Sequence, residues 1–518
     1  MPDNFLYYGD NLDVLRRHIK DESVDLEYLD PPFNSKATYN VLFGEQNGSR
    51  AAAQIKAFDD TWTWDRSAAQ AYQQVVEAGG KVSQAMQAFR AFLGDNDMLA
   101  YLAMMAPRLV ELRRVLKPTG SIYLHCDPTA SHYLKMLLDA VFSPENSRNE
   151  IIWKRMTPSG FKGKSSIGQS HDVILCYSKS GSFLYNPIFT TYSARYMKER
   201  FNKVDENGRR FKDEKIGTAT TQATIDRLIA EGKIYYTSNG KLRIKHYLDE
   251  IKGVPLDDVW TDIPPINSQA QERLGYPTQN FEALLERIIL ASSPPDGLVL
   301  DSFCGCGTTI TVGQRTGRRW IGIDITHLAI GLMKHRLLDA FGDQLAYQVI
   351  GEPVSLPDAE ALASSDPYQF QWWALGLVGA RPVEQKKGSD KGIDGRLYFH
   401  DEAEGGKTKQ VVLSVKAGHT SVVHVHELRG VIEREKAEIG VLITMQEPTR
   451  PMRTEVAGAG YYYSPGWNQS YPKLQILTVA ELLAGQGINM PPLHQVNVTF
   501  RKAPKAQITQ DEQTELEI

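Results

Sequence analysis

Along residues 1–150, short apolar runs closed by turn residues alternate with stretches whose apolar positions recur at helical spacing. Residues 5–8, 24–29 and 121–125 read as strands. Residues 12–18 (with Asn11 as N-cap), 96–116 and 130–142 read as helices, the second stopped by Lys117-Pro118-Thr119-Gly120. The stretch 34–66 is polar, aromatic and irregular, and reads as a long functional loop. The alternation returns at 272–350, with helices over 281–292, 309–316 and 326–338 and strands over 298–300 and 320–324. This pattern predicts an α/β fold with a parallel, doubly wound sheet. Between the halves, 171–177 reads as one more strand of that sheet. Pro, Gly and Ser concentrate at 351–366, which reads as a linker; 367–489 form a further α/β unit, and 490–518 form a polar tail expected to be disordered.

The chain's 518 residues suffice for two or three domains with their own cores. Four cysteines make no disulfide framework. No run approaches the roughly 20 apolar residues that span a bilayer, and the first ten residues lack the basic and apolar regions of a secretory signal. The expectation is a cytoplasmic protein without membrane contact. The net charge of −4 does not mark a nucleic-acid binder, but residues 151–252 hold 19 Lys+Arg against 10 Asp+Glu, interleaved with aromatics. That local excess favours phosphate contact.

Asp30-Pro31-Pro32-Phe33 closes the strand at 24–29. Each Pro fixes φ and removes an N–H, so the backbone stops pairing and leaves carbonyls free. A carboxylate and free carbonyls beside an aromatic face suit a planar group carrying an NH2. Far downstream, Asp301-Ser302-Phe303-Cys304-Gly305-Cys306-Gly307-Thr308-Thr309 joins a strand to a helix. Its glycines allow positive φ and close approach of a ligand. Asp324, 23 residues after Asp301, ends the next strand, where a carboxylate accepts hydrogen bonds from ribose hydroxyls in dinucleotide folds. Ile310 stands where a third Gly would be, so the turn suits a nucleoside without a pyrophosphate. Cys304 and Cys306 have no matching Cys/His pair nearby and read as packing residues rather than metal ligands.

Together, D-P-P-F at 30–33 and F-x-G-x-G at 303–307 resemble the amino-group DNA methyltransferases, and their order resembles the β class. The resemblance covers residues 1–350. It implies a Rossmann-like, S-adenosylmethionine-dependent methyltransferase fold with circularly permuted motif order. The catalytic half would be 1–150, a basic target-recognition insert 151–270, and the cofactor-binding half 271–350. It implies Asp30, Pro31, Pro32 and Phe33 as the catalytic motif. Asp10, Thr278, Asp301, Phe303, Gly305, Gly307, Thr308 and Asp324 become cofactor residues, although Asp10 reads equally as a turn acid. Asn280-Phe281 stands where the family has Lys-Pro after Pro-Thr-Gln. The implied reaction is methyl transfer to N6 of an adenine flipped from double-stranded DNA, in a restriction-modification or mobile-element setting, with no metal. Cytosine N4 is the alternative. An RNA or protein-amide methyltransferase and a non-enzymatic nucleic-acid binder remain open readings, as does the oligomeric state, a dimer being one candidate.

In the last unit, Asp394 followed on the next strand by Ser414-Val415-Lys416 resembles the D…[EQ]-x-K core of nucleases in its Mrr-like, PD-(D/E)XK-like form. The resemblance implies Mg2+ at Asp394 with Lys416 stabilising charge. Ser414 stands where Glu or Gln is usual, leaving Glu384, Glu427 or Glu433 as candidate replacements. A domain that binds DNA without cutting it is the alternative.

Overall fold

The structure, a computed structural model, describes residues 3–32, 38–44, 50–59, 63–155, 168–217, 220–237, 239–263, 281–383, 392–401 and 408–492. The described residues fall into two compact units, one within 3–184 and 259–492, the other 185–258.

The first unit is built on a nine-stranded sheet. Its order is Val259–Trp260, Ser147–Lys154, His171–Ser178, Leu116–Cys126, Val24–Leu29, Leu298–Asp301, Arg319–Asp324, Phe5–Tyr8 and Gln348–Ile350. Neighbours are parallel except at His171–Ser178, which is antiparallel to both of its partners. Every residue of Val24–Leu29 is buried, the mark of a parallel strand covered on both faces. The helices Asp97–Val115 and Pro128–Phe142 send Leu102, Leu109, Leu134 and Leu138 into one core with Leu29, Ile122 and Leu124.

Several expectations need correcting. The first helix is Asn11–His18, and its N-cap is Asp10 rather than Asn11, because the Asp10 carboxylate accepts the Leu12 N–H at 2.8 Å. Within 34–66, Thr38–Gly44 and Arg50–Asp59 form an antiparallel hairpin rather than an irregular loop. The helices Arg66–Ala78 and Gly80–Leu93 follow it. The expected linker contains the helix Leu356–Ser365, capped by Ser355.

Glu27 is fully buried in the central strand, and neither carboxylate oxygen has a hydrogen-bond partner among the described residues. Burial holds its carboxyl well above the ordinary value. A carboxyl raised by folding stabilises below its unfolded pKa, and that stability is lost as pH rises through the folded one. Glu27→Gln is therefore expected to gain stability over the wild type between pH 5 and pH 8, by about 1 kcal/mol or more. Denaturant midpoints at the two pH values check this; a constant difference contradicts it.

The C-terminal part has its own core and a five-stranded sheet: Arg381–Pro382, Gly395–Phe399, Lys409–Lys416, Ile439–Thr444 and Leu474–Thr478. Its helix Pro367–Leu377 lies against the helix His327–Phe341, with Gln369 Oε1 accepting the His327 N–H at 3.0 Å.

The second unit centres on an antiparallel sheet in the order Ile234–Tyr236, Leu242–Tyr247, Arg210–Lys215, Lys203–Val204. It is narrower than the expected insert, since the flanking strands belong to the main sheet. It holds 14 Lys+Arg against 11 Asp+Glu. Much of that charge is satisfied internally: Arg209 pairs with Asp249 and Glu250, Lys203 and Arg243 with Asp213, and Lys233 with Glu250. Lys212 lies over the rings of Tyr192, Tyr196 and Phe201, so part of the basic–aromatic interleaving is architecture.

Candidate active site

Four adjacent parallel strands end at one edge of the sheet, and each ends in or just before an acid. Register pairs Tyr28 with Asp301 and Tyr8 with Asp324, so Asp30, Asp301, Asp324 and Asp10 gather at the carboxyl ends, where open α/β sheets bind ligands. The two motifs, some 270 residues apart, are neighbours. Burial, with the charges of Asp30 and Asp324 added, pushes the Asp301 carboxyl up to about 7. Burial likewise raises Asp324 to about 6.

The glycine turn is held from within. Gly305 and Gly307 have φ of +53° and +76°. The Gly305 N–H donates to Asp324 Oδ2 at 2.9 Å, and Asp324 Oδ1 accepts from the Thr326 N–H and hydroxyl. Asp301 accepts from the Phe303 N–H at 3.0 Å and from the Thr309 hydroxyl. The Thr308 hydroxyl accepts from Arg336, itself paired with Glu282 at 2.9 Å. Asp301 and Thr308, read as cofactor ligands, also brace the turn from within. Asp10 caps its helix and pairs with Arg108 at 2.6 Å. Asn11 donates to the Ser302 carbonyl at 2.8 Å, tying this helix to the glycine turn. Cys304 and Cys306 are free and buried, and burial raises both thiols. Phe33, Thr278 and Glu384 lie outside the described residues.

These residues fit S-adenosylmethionine. The buried Ser302 hydroxyl has no partner among the described residues. Ile325, next to Asp324, is 59% exposed, an apolar side chain left at a strand end. A concentration of carboxylates suits a ligand with a sulfonium and an ammonium, and Asp324 stands where a ribose hydroxyl can be held.

Beside Asp30 lies a polar chain that the sequence reading missed. His125 Nδ1 is 3.9 Å from Asp30 Oδ1 and 2.9 Å from the Tyr28 hydroxyl, and its Nε2 is 3.2 Å from Asp172 Oδ2. Arg155 completes it, 3.2 Å from the same Asp172 oxygen. A histidine at the end of a strand in an otherwise apolar run was the available signal.

In the C-terminal domain, Asp394 Oδ2 accepts from the Val415 N–H at 2.6 Å and the Ser414 hydroxyl at 3.2 Å, and is buried. Glu427 is exposed on the helix Val422–Glu435. Among the described residues no group of three His, Cys, Asp or Glu is placed to hold a metal ion, so the expected Mg2+ at Asp394 finds no support there. No helix among them is long and apolar enough to cross a membrane.

The family profile N6_N4_Mtase, described as DNA methylase, matches residues 24–334. The chain belongs to this family. The DNA methylase takes S-adenosylmethionine as methyl donor and DNA as substrate. A second profile, NACHT-associated inactive Restriction Endonuclease 1, matches residues 369–484 of the methylase. The methylase is similar to the type II methyltransferase M.EcaI of Enterobacter cloacae, 28% identical over 62% of this chain and 67% of that protein. It is 25% identical to the type III restriction-modification enzyme StyLTI Mod subunit of Salmonella typhimurium, over 59% of this chain and 49% of that protein. Among solved structures, it aligns with a putative DNA modification methylase from Thermus thermophilus complexed with S-adenosyl-L-methionine. There the identity is 15%, the TM-score 0.35, and the match covers 68% of this chain and 99% of the other.

Proposed function

We propose that this methylase transfers a methyl group to the exocyclic N6 of an adenine flipped out of duplex DNA. S-adenosylmethionine supplies the electrophilic methyl carbon on a sulfonium. Asp30 and the Pro31 carbonyl accept hydrogen bonds from the NH2, which draws the nitrogen toward sp3 and raises its lone-pair density for attack. Asp30 takes up the proton that the amine sheds. Phe33 offers a ring on which the base stacks, returning about 1–3 kcal/mol of the unstacking cost. The reading is carried by one observation: Asp30 ends the strand directly beside the one that leads into the glycine turn. The D-P-P-F form of the motif favours adenine over cytosine N4. One relative, YhdJ of Escherichia coli, is named a DNA adenine methyltransferase, at 24% identity. With tritiated donor, label is expected in duplex DNA and not in RNA or protein; label in RNA alone overturns the proposal.

The C-terminal domain, in this reading, does not cut DNA: Asp394 accepts from Ser414 and Val415, and among the described residues no group of three metal-ligating side chains includes it. Supercoiled plasmid, methylated or not, is expected to stay intact with Mg2+ in wild type and Lys416→Ala alike. Mg2+-dependent cutting lost in Lys416→Ala contradicts this.

A further inference from the structure

Tyr28, His125 and Asp172 come from three neighbouring strands, Val24–Leu29, Leu116–Cys126 and His171–Ser178, and all three side chains are buried. The groups facing the imidazole are the Tyr28 hydroxyl, the carboxylates of Asp30 and Asp172, and the Trp153 ring, with Arg155 behind Asp172. Burial works to raise the Asp172 carboxyl, but the hydrogen bond and charge of His125, with the charge of Arg155, hold it below its usual value. Burial, with the charges of Asp30, Asp301 and Asp172, keeps the Tyr28 phenol protonated. An ionised Asp172 accepts, so His125 Nε2 carries the hydrogen. The Tyr28 hydroxyl, 2.9 Å from Nδ1, holds the other side of the ring.

We propose that His125 is a positioning residue for Asp30, locked in place by Tyr28 and Asp172. The lock has two effects. It ties together the strands whose ends carry Asp30. It also fixes the ring with Nδ1 3.9 Å from Asp30 Oδ1, so the imidazole backs the carboxylate from the neighbouring strand. This rests on the reading of Asp30 as acceptor for the amine.

The test compares Asp30→Ala, His125→Ala, His125→Gln and Tyr28→Phe in the full chain, by kcat and KM on duplex DNA and by calorimetric binding of S-adenosylmethionine. His125→Ala is expected to lose about 10²-fold in kcat with cofactor affinity unchanged. His125→Gln, whose amide can accept from Tyr28 and donate to Asp172, is expected to recover most of that loss. Tyr28→Phe removes one of the two side chains that hold the ring, and is expected to lower kcat by less than His125→Ala does, with cofactor affinity unchanged. Wild-type kcat in His125→Ala overturns the proposal. So does a His125→Gln as slow as His125→Ala with cofactor binding intact, since the imidazole would then act as an acid–base group itself. If His125→Ala loses cofactor binding, Tyr28→Phe, which deletes one oxygen, carries the test: wild-type kcat in that variant overturns the lock. Transfer retained in Asp30→Ala refutes the reading of Asp30; Asp30→Ala inactive beside an active His125→Ala refutes only the role of His125.

Discussion

Asp30→Ala is expected to lower kcat for methyl transfer by about 10²–10³-fold or more, with S-adenosylmethionine binding near that of the wild type. The adenine amine is a poor nucleophile because its lone pair is delocalised into the ring. An acceptor aimed at its hydrogens acts on the reacting atom, and its loss appears in kcat rather than in cofactor affinity. In the proposed reaction Asp30 supplies that acceptor, and it follows a strand whose every residue is buried, so the truncation leaves the scaffold in place. It also removes one of the charges that raise Asp301, so the Asp301 carboxyl is expected to titrate lower in the variant. Single-turnover kinetics and calorimetry on the same preparation check both parts. A variant that binds cofactor and still methylates DNA at the wild-type rate contradicts the assignment.

Gly307→Ala is expected to unfold the cofactor turn. Gly307 has φ +76° and ψ 32°, a left-handed conformation, at the N-cap of the helix Thr308–Arg315. A Cβ there would sit 2.7 Å from Met333 Cγ and 3.1 Å from Ile310 Cδ1, both in a packed core. The left-handed penalty and the overlap together cost about 2–5 kcal/mol. The result is a lowered Tm and lost cofactor binding. Gly317→Ala is the control: φ is +71°, but nothing lies within 4 Å of the added Cβ, so it costs about 1–2 kcal/mol and leaves the cofactor site alone. Equal losses in both variants would show that the packing argument is wrong.

What the sequence makes legible follows from the physics of each element. Buried parallel strands are continuous apolar runs, so 24–29, 298–300 and 320–324 are readable, and their terminal acids mark the ligand edge. The hairpin at 38–59 is not readable, because Arg50–Asp59 opens with Arg-Ala-Ala-Ala-Gln, which has neither strand propensity nor alternation. Residue type also hides a second task. Asp301 and Thr308 stand in the motif like ligands, and they also brace the turn through Phe303, Thr309 and Arg336. Arg336 lies 28 residues from Thr308, and Glu282 a further 26 upstream, so no local pattern announces them. Tyr28, His125 and Asp172 become a set only through the sheet order, which places His171–Ser178 against Leu116–Cys126. In the C-terminal domain, Ser414 at the expected acid position is the visible sign, and the structure gives its consequence, a hydroxyl donated to Asp394 where a metal ligand would stand.

The account turns on an amine of a DNA base being methylated at the edge where Asp30 meets the glycine turn. Nucleoside mass spectrometry on duplex DNA treated with the protein and isotopically labelled S-adenosylmethionine reads that directly. Labelled N6-methyldeoxyadenosine, present with the wild type and absent with Asp30→Ala, is the predicted result; label on a base carbon, or no labelled nucleoside from a protein that binds the donor, would contradict it.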